Sequence, residues 1–230
     1  MKKLGKNKKA VVLLSGGLDS SVVLALASQK FQKIYCISFD YGQRHKRELE
    51  YAKKQVQNQN IKFHKIFKID FFGGSSLTDK IDVPQNESVE LIPKKIPITY
   101  VPARNTIFLS YALGYSEFVN STNIFLGVNA VDYSGYPDCR PEFIKIFEKL
   151  SNIATKKGIE GQKFKIHTPL INLTKKEIIL LGIKYKVDFK YTASCYNPIN
   201  NIACGSCDSC LLRKKGFNDA KITDPVKYIK

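Results

Sequence analysis

The chain has 230 residues, 43% of them hydrophobic, which suffices for one α/β domain with a sizeable core and a small appendage. No apolar run approaches the roughly 18 residues of a membrane helix, and the run after the basic residues 1–9 is too short for a signal peptide. We therefore expect a cytoplasmic protein with no membrane partner and a basic N-terminal tail at residues 1–9.

The formal net charge of +17 at pH 7 predicts attraction to anionic ligands. The lysines are spread over nearly every segment, whereas a nucleic-acid-binding surface needs a basic stripe with interleaved aromatic residues. Arginine suits bidentate contacts with phosphates and carboxylates, and the arginines all fall in segments with motif character. These are Arg44, Arg47, Arg104, Arg140 and Arg213. We expect small anionic substrates and no stable nucleic-acid partner.

The first predicted elements surround the sequence Ser-Gly-Gly-Leu-Asp-Ser at residues 15–20. An apolar run at 10–14 precedes it and an Ala-rich segment follows, which indicates a buried strand, a glycine turn and the start of a helix. Glycines allow close approach and positive φ, and the N–H groups at a helix N-terminus face an anion. No lysine follows the glycines, as it would in a Walker A loop. The alternative is an ordinary Ser/Gly turn with a solvated Asp19.

Ser-Gly-Gly-x-Asp-Ser resembles the PP-loop of the ATP pyrophosphatase superfamily. Those enzymes hold the pyrophosphate of ATP, transfer AMP to a substrate oxygen and release the pyrophosphate. On this resemblance we predict that the loop and the first turns of the helix bind ATP. The predicted residues are Leu14, Ser15, Gly16, Gly17, Leu18, Asp19, Ser20, Ser21, Val22, Val23 and Leu24.

Strand and helix patterns alternate along the rest of the chain. Apolar runs predict strands at 10–14, 34–39, 61–67, 124–128 and 164–167. Their largely continuous apolar character is typical of a parallel sheet covered on both faces. Helical patterns lie between them at 45–59 and 105–119, after Pro141, and after a capping box at 174–177.

This alternation predicts a doubly wound, Rossmann-like parallel α/β fold over residues 10–190. Its ligand should lie at the carboxyl ends of the strands, where the 15–20 loop emerges. Residues 70–99 interrupt the pattern with glycines, prolines and mixed charge, and they predict an insertion or mobile flap over the site.

Polar segments follow two of the predicted strands at this edge. After the second strand, Tyr41, Gln43 and Arg44 are candidates for substrate binding, and His45 is either a proton carrier or a helix cap. Arg104 stands in a proline-stiffened turn before a helix, where it either grips a phosphate or is a simple surface arginine.

The segment 129–140 follows the fourth strand and is the densest polar stretch. It is either a solvated loop or a pocket for a flat heterocycle that bears a carboxylate. Cys139 has no base nearby in the sequence and is expected to line that pocket. The predicted substrate-binding residues here are Asp132, Tyr133, Tyr136, Asp138 and Arg140.

Six cysteines without a signal peptide favour metal binding or catalysis over disulfides. Four of them, Cys195, Cys204, Cys207 and Cys210, stand within 16 residues. Four thiolates suit tetrahedral Zn²⁺, and a site with all positions filled is structural; an iron–sulfur cluster and free thiols are the alternatives. We predict a zinc-binding segment at 191–217, with one Zn²⁺ per chain, and a C-terminal tail at 218–230. Cys36 is expected in the core.

Taken in order, these motifs closely resemble the 7-cyano-7-deazaguanine synthase (QueC) family from about residue 10 to about residue 217. The PP-loop is shared by many relatives, whereas the 132–140 string together with the cysteine cluster is more specific. The matching segments are 15–20, 41–45, 101–105, 132–140 and 195–210.

The resemblance implies a ligase of queuosine precursor synthesis that converts 7-carboxy-7-deazaguanine, ammonia and ATP into the nitrile. The carboxylate is adenylated and becomes an amide, and a second ATP activates the amide oxygen. Mg²⁺ would bridge the phosphates near Asp19. Arg104 and Lys175 are expected to stabilise charge on the transferring AMP. The predicted catalytic residues are therefore Asp19, Arg104 and Lys175. Arg140 is the candidate for binding the substrate carboxylate.

No cysteine stands with a histidine base in a recognisable glutaminase pattern, so we expect free ammonia as the nitrogen source. A homodimer is left open. A tRNA-thiolating PP-loop enzyme is one alternative, but four of the six cysteines are spaced for metal and the other two lie far apart in sequence. A zinc-bearing nucleic-acid-binding module is another, and it would need the basic stripe that the lysines do not form.

Overall fold

The computed structural model describes residues 8–44, 46–93, 95–131 and 135–229. Among the predicted functional residues, His45, Asp132 and Tyr133 lie outside the described residues, as does most of the predicted N-terminal tail.

A five-stranded parallel sheet forms the centre of the fold. Its spatial order is β3-β2-β1-β4-β5, so the direction of winding reverses between β1 and β4. This order confirms the predicted doubly wound fold, and its switch point lies at the carboxyl end of β1. The strands are β1 (Lys9–Leu13), β2 (Lys33–Asp40), β3 (Phe63–Lys68), β4 (Asn123–Phe125) and β5 (Lys165–His167).

Helices cover the two faces of this sheet. Pro141 occupies the first turn of its helix, and the Thr174 hydroxyl and Glu177 carboxylate form the predicted capping box. The helices are α1 (Leu18–Lys30), α2 (Arg47–Asn58), α3 (Arg104–Phe118), α4 (Pro141–Ile153), α5 (Lys156–Ile159), α6 (Lys175–Lys184) and α7 (Asp208–Asp219).

Alternate residues of β1 enter two separate cores, since side chains point to opposite faces along a strand. Ala10 and Val12 pack with residues of α1, α2, α6 and α7, whereas Val11 and Leu13 pack with residues of α3 and α4. The central strands are therefore covered on both faces, as their apolar sequences predict. The edge strand β3 departs from that expectation, because Phe63 is 43% exposed and no other described strand pairs with its outer edge.

Residues 69–93 and 95–103 form a long irregular insertion, and the helical structure in these described residues is a single 3₁₀ turn at Val89–Leu91. The Arg44 guanidinium donates to the Ile81 carbonyl at 2.9 Å, and the Asn86 N–H donates to the Ser206 carbonyl at 2.9 Å. The insertion thus connects the segment after β2 with the cysteine segment. Its movement as a flap stays a prediction.

The predicted C-terminal tail at 218–230 returns to the cysteine segment over its described residues. The Ile229 N–H donates to the Ala203 carbonyl at 2.9 Å, and the Ala203 N–H donates to the Lys227 carbonyl at 3.2 Å. Arg213, which is 2% exposed, forms a two-point ion pair with Asp224 at 2.8 and 2.9 Å. A buried guanidinium needs such a partner, and the partner lies beyond α7.

None of the helices in the described part of the chain is both long enough and apolar enough to cross a membrane.

Candidate active site

A cavity of about 310 Å³ opens at the carboxyl ends of β1, β2 and β4, at the switch point of the sheet. We call one side of it the phosphate-loop wall, defined by residues 15–20 and Lys175. The other side is the Arg104 wall, defined by Tyr41, Arg104, Phe108, Tyr136 and Cys139. These segments are distant in sequence, and only the sheet brings them together.

The two loop glycines have different functions. Gly16 has φ +86°, and a Cβ at this position would lie 2.0 Å from the Glu48 carbonyl oxygen in α2. Gly17 has the ordinary φ of −75°, and its Cβ would lie 3.2 Å from the Ser15 hydroxyl and 3.3 Å from the Ala193 carbonyl. The positive φ expected of these glycines is therefore confirmed only at Gly16, where it serves helix packing as well as the turn.

The loop is held in shape by its own hydroxyl groups. The Ser15 and Ser20 hydroxyl oxygens lie 3.0 Å apart, and the Gly17 N–H donates to the Ser15 hydroxyl at 3.1 Å. The Ser20 hydroxyl also lies 3.1 Å from the Gly17 carbonyl, to which it can donate. The serines predicted as phosphate donors thus bond within the loop and preorganise it.

Part of the predicted nucleotide-binding set lies away from the cavity. Val22, Val23 and Leu24 are fully buried and pack in the core of that sheet face. The buried Ser21 hydroxyl donates to the Gly17 carbonyl at 2.8 Å. These four side chains do not reach the cavity, because successive residues of a helix point in different directions and α1 directs them into the protein.

Asp19 and Lys175 meet beside the loop, although 156 residues separate them. The Lys175 ammonium lies 2.8 and 2.9 Å from the two carboxylate oxygens of Asp19, and both side chains line the cavity. The capping box at the start of α6 places Lys175 in the first turn of that helix. Lys175 and Asp19, which the sequence predicts as separate catalytic residues, therefore form one ion pair.

Arg104 lies across the cavity among aromatic rings. Its guanidinium donates to the Tyr41 hydroxyl at 3.3 Å, and it lies 5.8 Å from the ring centre of Tyr41 and 6.0 Å from that of Phe108. Among the described residues, no carboxylate lies within ion-pair distance of it. Burial raises the pKa of Tyr41, although the Arg104 charge opposes this, so the phenol stays protonated. Arg104 is thus a cation that faces the cavity.

Glu48 also lines the cavity, and sequence reasoning missed it. Burial raises the pKa of its carboxyl group to about 7, while the positive charge of Arg104 acts in the opposite direction. Its position in the first turn of the helix after β2, three residues beyond His45, is the signal that could have identified it.

Gln43 and Arg44 line the cavity as predicted, but their polar groups already have partners. The Gln43 amide accepts from the Tyr41 N–H at 2.7 Å and donates to the Phe39 carbonyl at 3.1 Å. Arg44 donates to the Ile81 carbonyl at 2.9 Å. In this structure both side chains stabilise the loop after β2 and its contact with the insertion.

Tyr136 and Cys139 line the cavity, whereas Asp138 and Arg140 do not. Asp138 is 5% exposed and accepts from the Asn105 N–H at 2.9 Å, so it caps the start of α3. Burial raises its pKa, and the Asn105 hydrogen bond opposes the shift. Arg140 is exposed at the start of α4. Neither Asp138 nor Arg140, both predicted substrate contacts, therefore reaches the cavity: the 3₁₀ turn Pro137–Cys139 and the residue after it direct both side chains away from it.

Four cysteines form a cluster beside this cavity. The sulfur atoms of Cys195, Cys204, Cys207 and Cys210 all lie within 4.8 Å of one another, and the cluster could hold a metal ion. Ligands ~2.3 Å from a tetrahedral Zn²⁺ would have sulfur atoms ~3.8 Å apart, which fits this spacing.

Hydrogen bonds within this cluster favour a thiolate at Cys207, whereas those between the thiols raise the pKa values of Cys195 and Cys210. The N–H groups of Asn197 and Cys204 donate to the Cys195 sulfur at 3.3 and 3.2 Å. Hydrogen bonds from Cys195 and Cys210 hold the pKa of the Cys207 thiol well below its usual value, although burial opposes the shift. Hydrogen bonds to the ligand atoms are typical of metal sites.

Comparisons with known proteins show the family to which this chain belongs. A family model described as "Queuosine biosynthesis protein QueC" matches residues 9–221. The 7-cyano-7-deazaguanine synthase of Desulfatibacillum aliphaticivorans is 56% identical over 228 residues, which cover 97% of this chain and 98% of the relative. The protein of the same name from Rickettsia akari (strain Hartford) is 52% identical over 226 residues, covering 96% and 100%. Among solved structures, NMN synthetase from Francisella tularensis aligns with a TM-score of 0.49 and 16% identity, over 94% of this chain and 73% of that one.

The sheet order and the glycine loop at the switch point define the class of doubly wound α/β proteins. Within that class, the chain belongs to the QueC family of queuosine biosynthesis proteins.

Proposed function

We propose that this chain converts 7-carboxy-7-deazaguanine, ammonia and ATP into 7-cyano-7-deazaguanine. The observation that carries the proposal is the pairing of the two cavity walls in a member of this family. One wall is a glycine loop at a helix N-terminus, suited to phosphates, and the other presents Arg104 among aromatic rings. A flat heteroaromatic carboxylate complements the second wall, and ATP complements the first.

A carboxylate is a poor electrophile until one of its oxygens becomes part of a leaving group. In the proposed reaction that oxygen attacks the α-phosphorus of ATP, pyrophosphate leaves, and an acyl adenylate forms. The loop N–H groups and Lys175 would stabilise the negative charge that develops on the phosphates. Mg²⁺ would neutralise phosphate charge there, and Asp19 is the loop carboxylate that could hold it.

Arg104, rather than Arg140, is the proposed partner of the substrate carboxylate. Its guanidinium lines the cavity and has a tyrosine hydroxyl as its described hydrogen-bond acceptor, so it can accommodate an anion. The rings of Tyr41 and Phe108, which contact that guanidinium, would then border the heterocycle. This assignment gives Arg104 a substrate-binding function as well as the expected electrostatic one.

The proposed metal is a structural Zn²⁺ bound by the four-cysteine cluster. Four protein ligands would fill its tetrahedral positions and leave none for substrate. The ion would hold the cysteine segment together, and that segment contributes Cys195 and Tyr196 to the lining of the cavity.

Two observations favour ammonia over sulfur transfer. Cys36 is fully buried within β2, and burial raises the pKa of its thiol far above neutrality. Burial likewise raises the pKa of Cys139 to about 12. Neither thiol is therefore prepared to act as a thiolate nucleophile at neutral pH, as a sulfur-transferring enzyme would require.

The test measures AMP and nitrile formation by the purified protein from ATP, 7-carboxy-7-deazaguanine and ammonium salt, without tRNA. Nitrile should form with two AMP released per product. Glutamine in place of ammonium should give no nitrile. AMP formation that depends on tRNA and a sulfur donor would contradict the proposal.

A further inference from the structure

The proposed reaction must remove protons from nitrogen, and neither the phosphate loop nor Arg104 is a group that accepts them. Ammonia brings three hydrogens to the cavity, and the nitrogen of the nitrile keeps none. Amide formation releases one proton from nitrogen, and conversion of the amide to the nitrile releases two. A group in the cavity that accepts protons from nitrogen would therefore act in both stages.

Most acidic groups that line the cavity are already engaged. Asp19 is paired with Lys175 through both carboxylate oxygens. Asp208 accepts from the Asn86 side-chain amide at 2.6 Å. Glu48 differs from both, since no described residue donates a hydrogen bond to its carboxylate.

The backbone fixes the position of Glu48 between the two walls. Its carbonyl oxygen lies against Gly16 of the phosphate loop, with no room for a Cβ between them. Its carboxylate is close enough for its charge to act on Arg104 and on Tyr41. The side chain thus lines the cavity, with its backbone against the phosphate loop and its charge acting on Arg104 of the other wall.

Burial also gives this group suitable acidity, raising the pKa of Glu48 to about 7 against the opposing charge of Arg104. A base with a pKa near the working pH accepts a proton in one step and releases it to solvent afterwards. The other titratable or charged groups that line the same cavity are Asp19, Tyr41, Arg44, Arg104, Tyr136, Cys139, Lys175, Cys195, Tyr196, Asp208 and Arg213.

We propose that Glu48 is the general base that removes protons from the substrate nitrogen, an inference that rests on the proposed function. In the first stage the ammonia nitrogen bonds to the acyl carbon, and Glu48 takes one of its protons. The bond from that carbon to the AMP oxygen breaks, and AMP leaves with the electron pair.

In the second stage the amide oxygen bonds to the α-phosphorus of another ATP, pyrophosphate leaves, and Glu48 takes a proton from nitrogen. The carbon–oxygen bond then breaks, AMP leaves with its electron pair, and the remaining N–H proton is removed as the triple bond forms. Glu48 returns each proton to solvent between steps.

Glu48→Gln keeps the size of the side chain and removes the base. Pyrophosphate–ATP exchange with 7-carboxy-7-deazaguanine, measured without ammonia, involves no proton transfer from nitrogen and should stay within about threefold of the wild-type rate. Nitrile formation from the carboxylate, and separately from the amide, should fall about 100-fold or more. Glu50→Gln, on the exposed side of the same helix, should change neither rate.

The pH profile supplies a second readout. At constant free ammonia, wild-type kcat/KM for nitrile formation should rise with pH to a plateau above about 7, and Glu48→Gln should lose this limb. Glu48→Asp, which keeps a carboxylate, should form nitrile at least about tenfold faster than Glu48→Gln.

Wild-type nitrile formation in Glu48→Gln would overturn the assignment, and so would an equal loss of exchange and nitrile formation, which would indicate binding or folding. If the rise of kcat/KM with pH disappears in His45→Gln and remains in Glu48→Gln, His45 would be assigned as the base. Absence of substrate-dependent exchange in the wild type would instead refute the proposed function.

Discussion

The two walls of the cavity are built in different ways. The phosphate-loop wall comes mainly from six consecutive residues, 15–20, whose hydroxyl and backbone groups bond to one another. The Arg104 wall is assembled from side chains after β2, at the start of α3 and after β4. Phosphate recognition is thus largely local and depends on backbone geometry, whereas the opposite wall depends on tertiary packing. Changes to the two walls should have correspondingly different consequences.

Removal of the proposed zinc should have the largest effect. It should disrupt the cysteine segment and leave the sheet beside the phosphate loop intact. Since metal binding and local folding are coupled, chelation should unfold the cysteine segment and release the chain end paired with it. Hydrogen exchange should become fast at Ala203 and Ile229, whose N–H groups bond across that segment, and stay slow at Val12 in β1. Re-addition of Zn²⁺, but not Mg²⁺, should restore protection. Unchanged exchange in the metal-free protein would contradict a structural metal.

Substitution of the two loop glycines tests the local wall. Gly16→Ala should lower the free energy of unfolding by about 3 kcal/mol or more, because it combines an unfavourable positive φ with a collision at the Glu48 carbonyl. Gly17→Ala needs no unusual φ and should cost about 1 kcal/mol, while ATP binding weakens. Urea unfolding and nucleotide titration measure these effects. Equal stability of the two variants would show that the contact with α2 is unimportant.

Substitution of arginines tests the assembled wall. Arg104→Lys should reduce kcat/KM for the carboxylate substrate about 100-fold, because an ammonium group cannot reproduce a two-point contact with a carboxylate. Arg140→Lys is the matched control, and it should stay close to the wild type since Arg140 is exposed away from the cavity. Steady-state kinetics at saturating ATP distinguishes them, and the reverse pattern would restore Arg140 as the carboxylate partner.

The smallest expected effect concerns the stability cost of Glu48. The folded protein binds the Glu48 proton more tightly than the unfolded chain does, so the cost is absent below about pH 4.5 and complete above about pH 7. Glu48→Gln should therefore raise the free energy of unfolding more at pH 8 than at pH 4, by at most about 3 kcal/mol because the side chain is partly exposed to solvent. Urea unfolding at both pH values measures this difference. Glu50→Gln should show no such pH dependence. An equal effect of Glu48→Gln at the two pH values would mean that burial does not raise the pKa of Glu48.

The amino-acid sequence by itself determined the fold class, the loop and the cysteine cluster. Each depends on short-range information, since apolar runs mark buried strands, Ser-Gly-Gly at 15–17 marks a tight turn, and the cysteines stand within 16 residues. The capping box at Thr174 was likewise readable because its hydrogen bonds span three residues. Strand ends were less accurate, as in β4, which ends at Phe125 although the apolar run continues to residue 128.

Only the tertiary structure decided which polar side chains reach the cavity. Asp138 and Arg140 carry suitable chemistry in a suitable segment, yet a short 3₁₀ turn directs one to a helix cap and the other to solvent. Glu48 has no distinctive sequence signature, and its raised pKa arises from burial among residues that are distant in the chain. Side-chain direction and desolvation depend on the packing of separate elements, and sequence spacing carries no record of that packing.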